Sequence, residues 1–194
     1  VARYERDGEK TFRQFSMNGN GWKPGGPSGL WPLYGVEALP ESGRVYVVEG
    51  EKTHAAAVSI GLASLTSAGG SKAAAKSDWR PLAGRDVTIL PDADEHGVEY
   101  AADVAEILQS LTPPARVRFV ELPGLSDMGD GADLADWLDA RDATAPEELR
   151  AAIDALADAA PERPQSEFEV KSRYTDLWKV SSSVPLERCS CKVG

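Results

Sequence analysis

Three groups of carboxylates sit where short apolar runs end. Glu49 follows Val45–Val48, in Val47-Val-Glu-Gly-Glu-Lys52. Asp92 and Asp94 follow a second run, in Ile89-Leu-Pro-Asp-Ala-Asp-Glu-His-Gly97. Asp130, Asp133 and Asp136 follow a third, in Gly129-Asp-Gly-Ala-Asp-Leu-Ala-Asp-Trp137. If the three runs are neighbouring strands, one sheet edge gathers all these acids. Converging anions repel unless a proton or a cation stands between them, and a divalent cation is the commoner answer. Oxygen donors select Mg²⁺ or Mn²⁺ over zinc. Such an ion, held by one or two carboxylates with waters left over for phosphate oxygens, is the usual arrangement for phosphoryl transfer. Each acid also has a plainer use. Asp133 can cap a helix and Asp136 can lie on a solvated face. His54 and His96 have no Cys or His partner at zinc spacing, so both read as structural or exposed.

The elements that must position these acids show as periodicity. Val45–Val48, 63–66, 86–90 and 116–120 read as short buried strands. Residues 51–60 read as a helix with Ala, Val and Ile on one face, and 71–76 as a short Ala-rich helix beyond Gly69-Gly70. Val98, Ala101, Ala102, Ala105, Leu108 and Leu111 recur at helical spacing over 97–111, and Pro113-Pro114 stops that helix. Helices are also predicted over 133–140 and 146–159. Strands alternating with helices imply a mostly parallel sheet covered on both faces, with the working site at the carboxyl ends of its strands. Residues 1–16 read as a hairpin turning at Asp7-Gly8, and 17–32 as a loop flanked by Trp22 and Trp31 in packing roles. The expected organisation is a β-containing lead-in over 1–40, an α/β domain over 41–160, and a linker or tail over 161–194 with a short strand near 167–171.

The chain has 194 residues, 42% hydrophobic and 27% charged, which excludes collagen-like, mucin-like and fully disordered classes. No apolar run approaches the roughly 18 residues a membrane helix needs, and the first residues do not form a signal peptide. A cytoplasmic setting without membrane partners is expected. The sequence opens on Val1 and reads as a piece of something longer. Cys189 and Cys191 lie too near the end to staple a core. Formal net charge is −10, but residues 121–160, with two basic and eleven acidic groups, account for −9 of it. That stretch reads as a solvated helical face. The rest is near neutral, so net charge does not exclude a nucleic-acid partner.

The segment 44–137 resembles the Toprim domain, the metal-binding catalytic domain of bacterial and phage primases, topoisomerases and some nucleases. The resemblance rests on Val48-Glu49-Gly50 and Asp92-Ala93-Asp94. It is greatest to the primase part of phage and plasmid primase–helicase proteins, through Val48-Glu-Gly-Glu-Lys52, Gly69-Gly70, Leu82-Ala-Gly-Arg85, Ile89 to Gly97, and Asp133-Leu-Ala-Asp-Trp137. The lead-in pieces Arg13-Gln-Phe and Pro32-Leu-Tyr-Gly35 also look like that group. The resemblance covers about the first 140 residues. It implies an α/β, Toprim-type (Rossmann-like), mostly parallel four-stranded sheet flanked by helices.

By the same resemblance, Glu49 is an acid/base residue or metal ligand and Asp92 and Asp94 are metal ligands. Asp133 or Asp136 completes the acidic site. Lys52 and Lys72, otherwise ordinary surface lysines, become phosphate contacts near strand-to-helix turns. Gly69 and Gly70 let nucleotide or backbone come close. The implied cofactor is Mg²⁺ or Mn²⁺. The implied activity is RNA primer synthesis, by nucleotidyl transfer from NTPs along single-stranded DNA, alongside a linked or associated helicase/ATPase. Two alternatives stay open: a Toprim nuclease on the same metal site, and a non-catalytic module that hands DNA to a helicase. The sequence departs from the group in lacking both a Cys-rich zinc ribbon and a Walker A motif. No G-x-G-x-x-G follows the first buried strand, which disfavours a dinucleotide-binding reading.

Overall fold

The computed structural model describes residues 2–6, 9–13, 15–18, 21–26 and 28–164. The Asp7-Gly8 turn, the predicted tail from 165 onward with its strand near 167–171, and both cysteines lie outside the described residues. The chain enters through two antiparallel hairpins. β1 (Ala2–Arg6) pairs with β2 (Glu9–Arg13), Ala2 opposite Arg13 and Arg6 opposite Glu9. β3 (Phe15–Asn18) pairs with β4 (Gly21–Pro24), Phe15 opposite Pro24 and Asn18 opposite Gly21. The second hairpin replaces part of the predicted 17–32 loop. β4 is exposed along its whole length, so it lacks the apolar alternation by which a half-buried strand is recognised. Trp22 stands on it 69% exposed and does not pack into a core as expected.

The α/β part runs β5 (Arg44–Val48), α1 (Glu51–Ser59), β6 (Ser64–Leu65), β7 (Asp86–Leu90), α2 (Glu95–Ser110), β8 (Arg116–Phe119), α3 (Leu134–Asp139) and α4 (Pro146–Ala159). The four strands form one sheet in the order β6-β5-β7-β8, every pairing parallel. The α/β class, with a four-stranded parallel sheet flanked by helices and an antiparallel lead-in, is as the sequence predicts. Ser71–Lys76 forms a 3₁₀ turn in place of the predicted short helix. Six residues closed by Ser77 in extended conformation offer too few hydrogen bonds to offset α-helix nucleation.

Alternate residues of the strands feed two cores. Val45, Val47, Val87, Ile89 and Val117 pack with Tyr100, Ala101, Val104 and Leu108 of α2 and with Trp79 and Leu82. Tyr46, Val48 and Leu90 pack on the opposite face with Ala57 of α1, Leu134 and Trp137 of α3, and Ile153 and Ala157 of α4. This double burial is why the strands are near-continuous apolar runs rather than alternating ones.

The amino ends of the strands are tied by charge. Arg44 pairs with Asp158 at 2.8 Å and with Asp86 at 3.6 Å, and Asp86 also receives Arg118. Tyr46 donates its hydroxyl to Asp154. A cavity of about 310 Å³ at this end is lined by Glu41, Arg44, Arg85, Asp86 and Arg116. Ordered pairing continues to the Arg163 amide, which donates to the Val117 carbonyl at 2.7 Å. Among the described residues no helix is long and apolar enough to cross a membrane.

Candidate functional site

Register places the first two acidic groups side by side. Val48 is the partner of Leu90, so Glu49 and Pro91-Asp92 leave adjacent strands at the same carboxyl edge. Gly50, at φ 90°, turns the chain from β5 into α1, and its N–H donates to Thr66 Oγ1 at 3.0 Å. That bond fixes the exit of Glu49 against the end of β6. Asp94 caps α2, accepting from the Gly97 N–H at 2.7 Å. The first turn of α2 lies so close to the preceding loop that a Cβ on Gly97 would sit 2.5 Å from the Asp92 carbonyl oxygen and 2.8 Å from its nitrogen. Glycine at 97 is therefore a steric requirement of the Asp92 loop.

The third acidic group arrives on a separate loop fastened to the second. The Ala93 N–H donates to the Ala132 carbonyl at 2.8 Å. Asp133 then caps α3 in a reciprocal box. Its carboxylate accepts from the Asp136 N–H at 3.0 Å, and the Asp136 carboxylate accepts from the Asp133 N–H at 3.0 Å. Asp133 is buried at 9% exposure, and α1 serves its other oxygen. Thr53 donates its hydroxyl to Asp133 Oδ2 at 3.2 Å, and Lys52 Nζ reaches Asp133 Oδ2 and Asp136 Oδ1 at 3.3 Å each. The Asp136 carboxyl is held below the ordinary value, first by the Asp133 N–H, which burial opposes, and then by the hydrogen bond and charge of Lys52.

Asp92 is the centre of the cluster. Burial pushes its pKa up to about 8, and repulsion from Glu49, Asp133, Asp94 and Asp136 adds to the rise in that order. Its Oδ1 is buried with no hydrogen-bond partner among the described residues. The donor set is all oxygen, which suits a hard divalent cation rather than zinc. Among the described residues, no group of three or more His, Cys, Asp or Glu side chains is arranged to hold a metal ion. Asp94, Asp133 and Asp136 each accept a backbone N–H at a helix N-terminus. The buried, unpartnered oxygen of Asp92 in an all-oxygen setting could take an ion held by one or two carboxylates and completed by water, the usual manner of Mg²⁺.

Glu49, Asp94, Asp133 and Asp136 are all brought within electrostatic reach of Asp92, and Lys52 joins them as a partner of two carboxylates. Asp130 is exposed and is not among the charges that act on Asp92. Gly69 and Gly70, at φ 107° and 81°, form the turn beyond β6, and Lys72 is exposed on the 3₁₀ turn after it. Ser67 anchors that turn: its hydroxyl donates to the Gly70 carbonyl at 3.0 Å, and its N–H donates to the Tyr100 hydroxyl at 3.2 Å. His54 is buried edge-on to Tyr34 with ring centroids 5.1 Å apart, and His96 is exposed near Glu99. Thr53, Thr66, Ser67 and Tyr100 position the site and were not singled out from the sequence. A hydroxyl at a strand end or in a helical first turn has no signature until its partner is known. For Thr53 that partner lies 80 residues away.

No family model matches this chain, and no curated protein matches it. Among solved structures it is similar to the zinc-binding and RNA polymerase domains of the Aquifex aeolicus primase. The identity is 20% and the TM-score 0.48, over 82% of this chain and 38% of that one. It is also similar to a structure of the DnaG catalytic core, at 16% identity and TM-score 0.42, over 87% of this chain and 58% of that one. The chain thus spans less than two thirds of the length of either.

Proposed function

We propose that this chain carries the metal-dependent nucleotidyl-transfer site of a Toprim-type primase, making RNA primers on single-stranded DNA from NTPs. In this reading the setting is cytoplasmic replication of a phage or plasmid kind, beside a helicase/ATPase. The observation that carries the reading is Asp92: a carboxylate raised to about 8 by burial and four neighbouring carboxylates, with a buried oxygen lacking a hydrogen-bond partner among the described residues. The ordered set of motifs around it supports the specific chemistry.

Asp92 and Asp94 would hold Mg²⁺ or Mn²⁺, with Glu49 beside them on the next strand. The ion would supply charge neutralisation of the triphosphate and of its transition state. Glu49 would accept the proton of the attacking hydroxyl, or complete the ion's ligands. Asp133 and Asp136 act at one remove, fixing α3 and the loop that Ala132 fastens to Ala93. The Gly69-Gly70 turn and Lys72 lie beyond β6, next to β5 in the sheet, where incoming phosphates would be received.

The test is incubation of the full chain with single-stranded DNA, labelled NTPs and Mg²⁺. Short ribonucleotide products from the wild type, absent with Asp92→Asn, are expected. DNA fragments in place of primers would establish a nuclease. Neither product, with DNA still bound, would leave a docking module.

A further inference from the structure

The acidic cluster already contains a cation. Lys52 Nζ stands 3.3 Å from Asp133 Oδ2 and 3.3 Å from Asp136 Oδ1, bridging the two carboxylates of the α3 box from the first turn of α1. Its side chain is 67% exposed, so burial does not force it there. Burial is the largest single influence on its pKa and lowers it, but the hydrogen bonds and charges of Asp133 and then Asp136 together outweigh it and hold the ammonium above the ordinary lysine value. The side chain is long, flexible and open to solvent, and it can swing away without disturbing the core. Asp133 and Asp136 both link Lys52 to Asp92, because the charge of each acts on both groups, that of Asp133 the more strongly.

We propose that Lys52 is a resident counter-cation that competes with divalent metal for this cluster, filling the Asp133–Asp136 side and confining the ion to the Asp92 side. The proposal rests on the metal reading of the preceding section. Two consequences separate Lys52 from an ordinary surface lysine. Removing its charge strengthens binding of the ion, whereas loss of a phosphate contact leaves binding of the bare ion unchanged. Added salt shrinks the difference, because it screens the repulsion between ammonium and ion.

The experiment is titration of Mn²⁺, without nucleotide or DNA, into the full chain as wild type, Lys52→Met, Lys52→Arg and Asp92→Asn. Free Mn²⁺ is counted by its paramagnetic resonance signal, and thermal melting verifies folding. A unit charge several ångströms from a divalent ion in a solvated setting is worth roughly three- to tenfold in affinity. Lys52→Met should therefore bind Mn²⁺ about three- to tenfold more tightly than wild type, or bind one further ion. Lys52→Arg should match wild type, and the gain in Lys52→Met should fade as salt rises. Wild type and Lys52→Met binding the same number of ions with equal affinity, both weakened by Asp92→Asn, would overturn the proposal and leave the metal site standing. No binding by either would overturn both.

Discussion

At Asp92 burial and like charge push in one direction, and the consequence is a pH dependence with a definite sign. The native carboxyl holds its proton up to about pH 8, whereas the unfolded one, at 3.8, releases it near pH 4. Between those values the native state binds more protons, so without divalent cation stability falls as pH rises from about 4 to about 8 and is flat outside that window. Asp92→Asn removes this slope. At pH 8 the variant should be the more stable by about 2 kcal/mol after discounting for partial exposure, or ~5 °C in melting temperature; below pH 4 the two should melt together. Melting curves across that range check it, and equal slopes for the two proteins would contradict it. The Asp-x-Asp pattern was legible because carboxylates after a strand are a local feature. The partners of Asp133 were not, since Lys52 and Thr53 lie some 80 residues earlier in the chain.

The elements show why the site sits where it does. β5 and β7 are buried on both faces, so their apolar runs marked them and their carboxyl ends in the sequence. β4 gave no such signal: it is exposed along its whole length, and no core imposes alternation on it. The helix caps recruit the site's own acids, which ties stability to function. Asp133→Ala should cost about 1 kcal/mol through the lost cap and more through the lost Thr53 bond, while Asp133→Asn retains the cap; denaturant unfolding of the pair checks this. Gly97→Ala tests the packing of α2 on the Asp92 loop. With its Cβ at 2.5 Å from the Asp92 carbonyl oxygen, it should destabilise by about 1–3 kcal/mol and also weaken metal binding, although it removes no carboxylate. Unchanged metal affinity in a folded Gly97→Ala would separate the loop from the site.

For the molecule as a whole, the charge is distributed rather than simply negative. α4 buries Leu149, Ile153 and Ala157, and its acids do more than meet solvent as the sequence predicts, because Asp154 and Asp158 tie down Tyr46 and Arg44. On the proposed function, a strand of DNA approaching the carboxyl edge of the sheet would meet the field of five carboxylates, Asp133 among them buried, offset by Lys52. Removing divalent cation with a chelator should therefore lower the affinity for single-stranded DNA several-fold at fixed ionic strength, as read by fluorescence anisotropy. Affinity indifferent to the chelator would place DNA away from the carboxylates.

One titration tests the role of Asp92 most directly: Mg²⁺ into the full chain by calorimetry, wild type beside Asp92→Asn. Saturable binding by the wild type that Asp92→Asn abolishes is the expected result. Binding that persists in the variant at equal affinity would contradict it, because the carboxylate on which the cluster's repulsion converges would then not be a ligand.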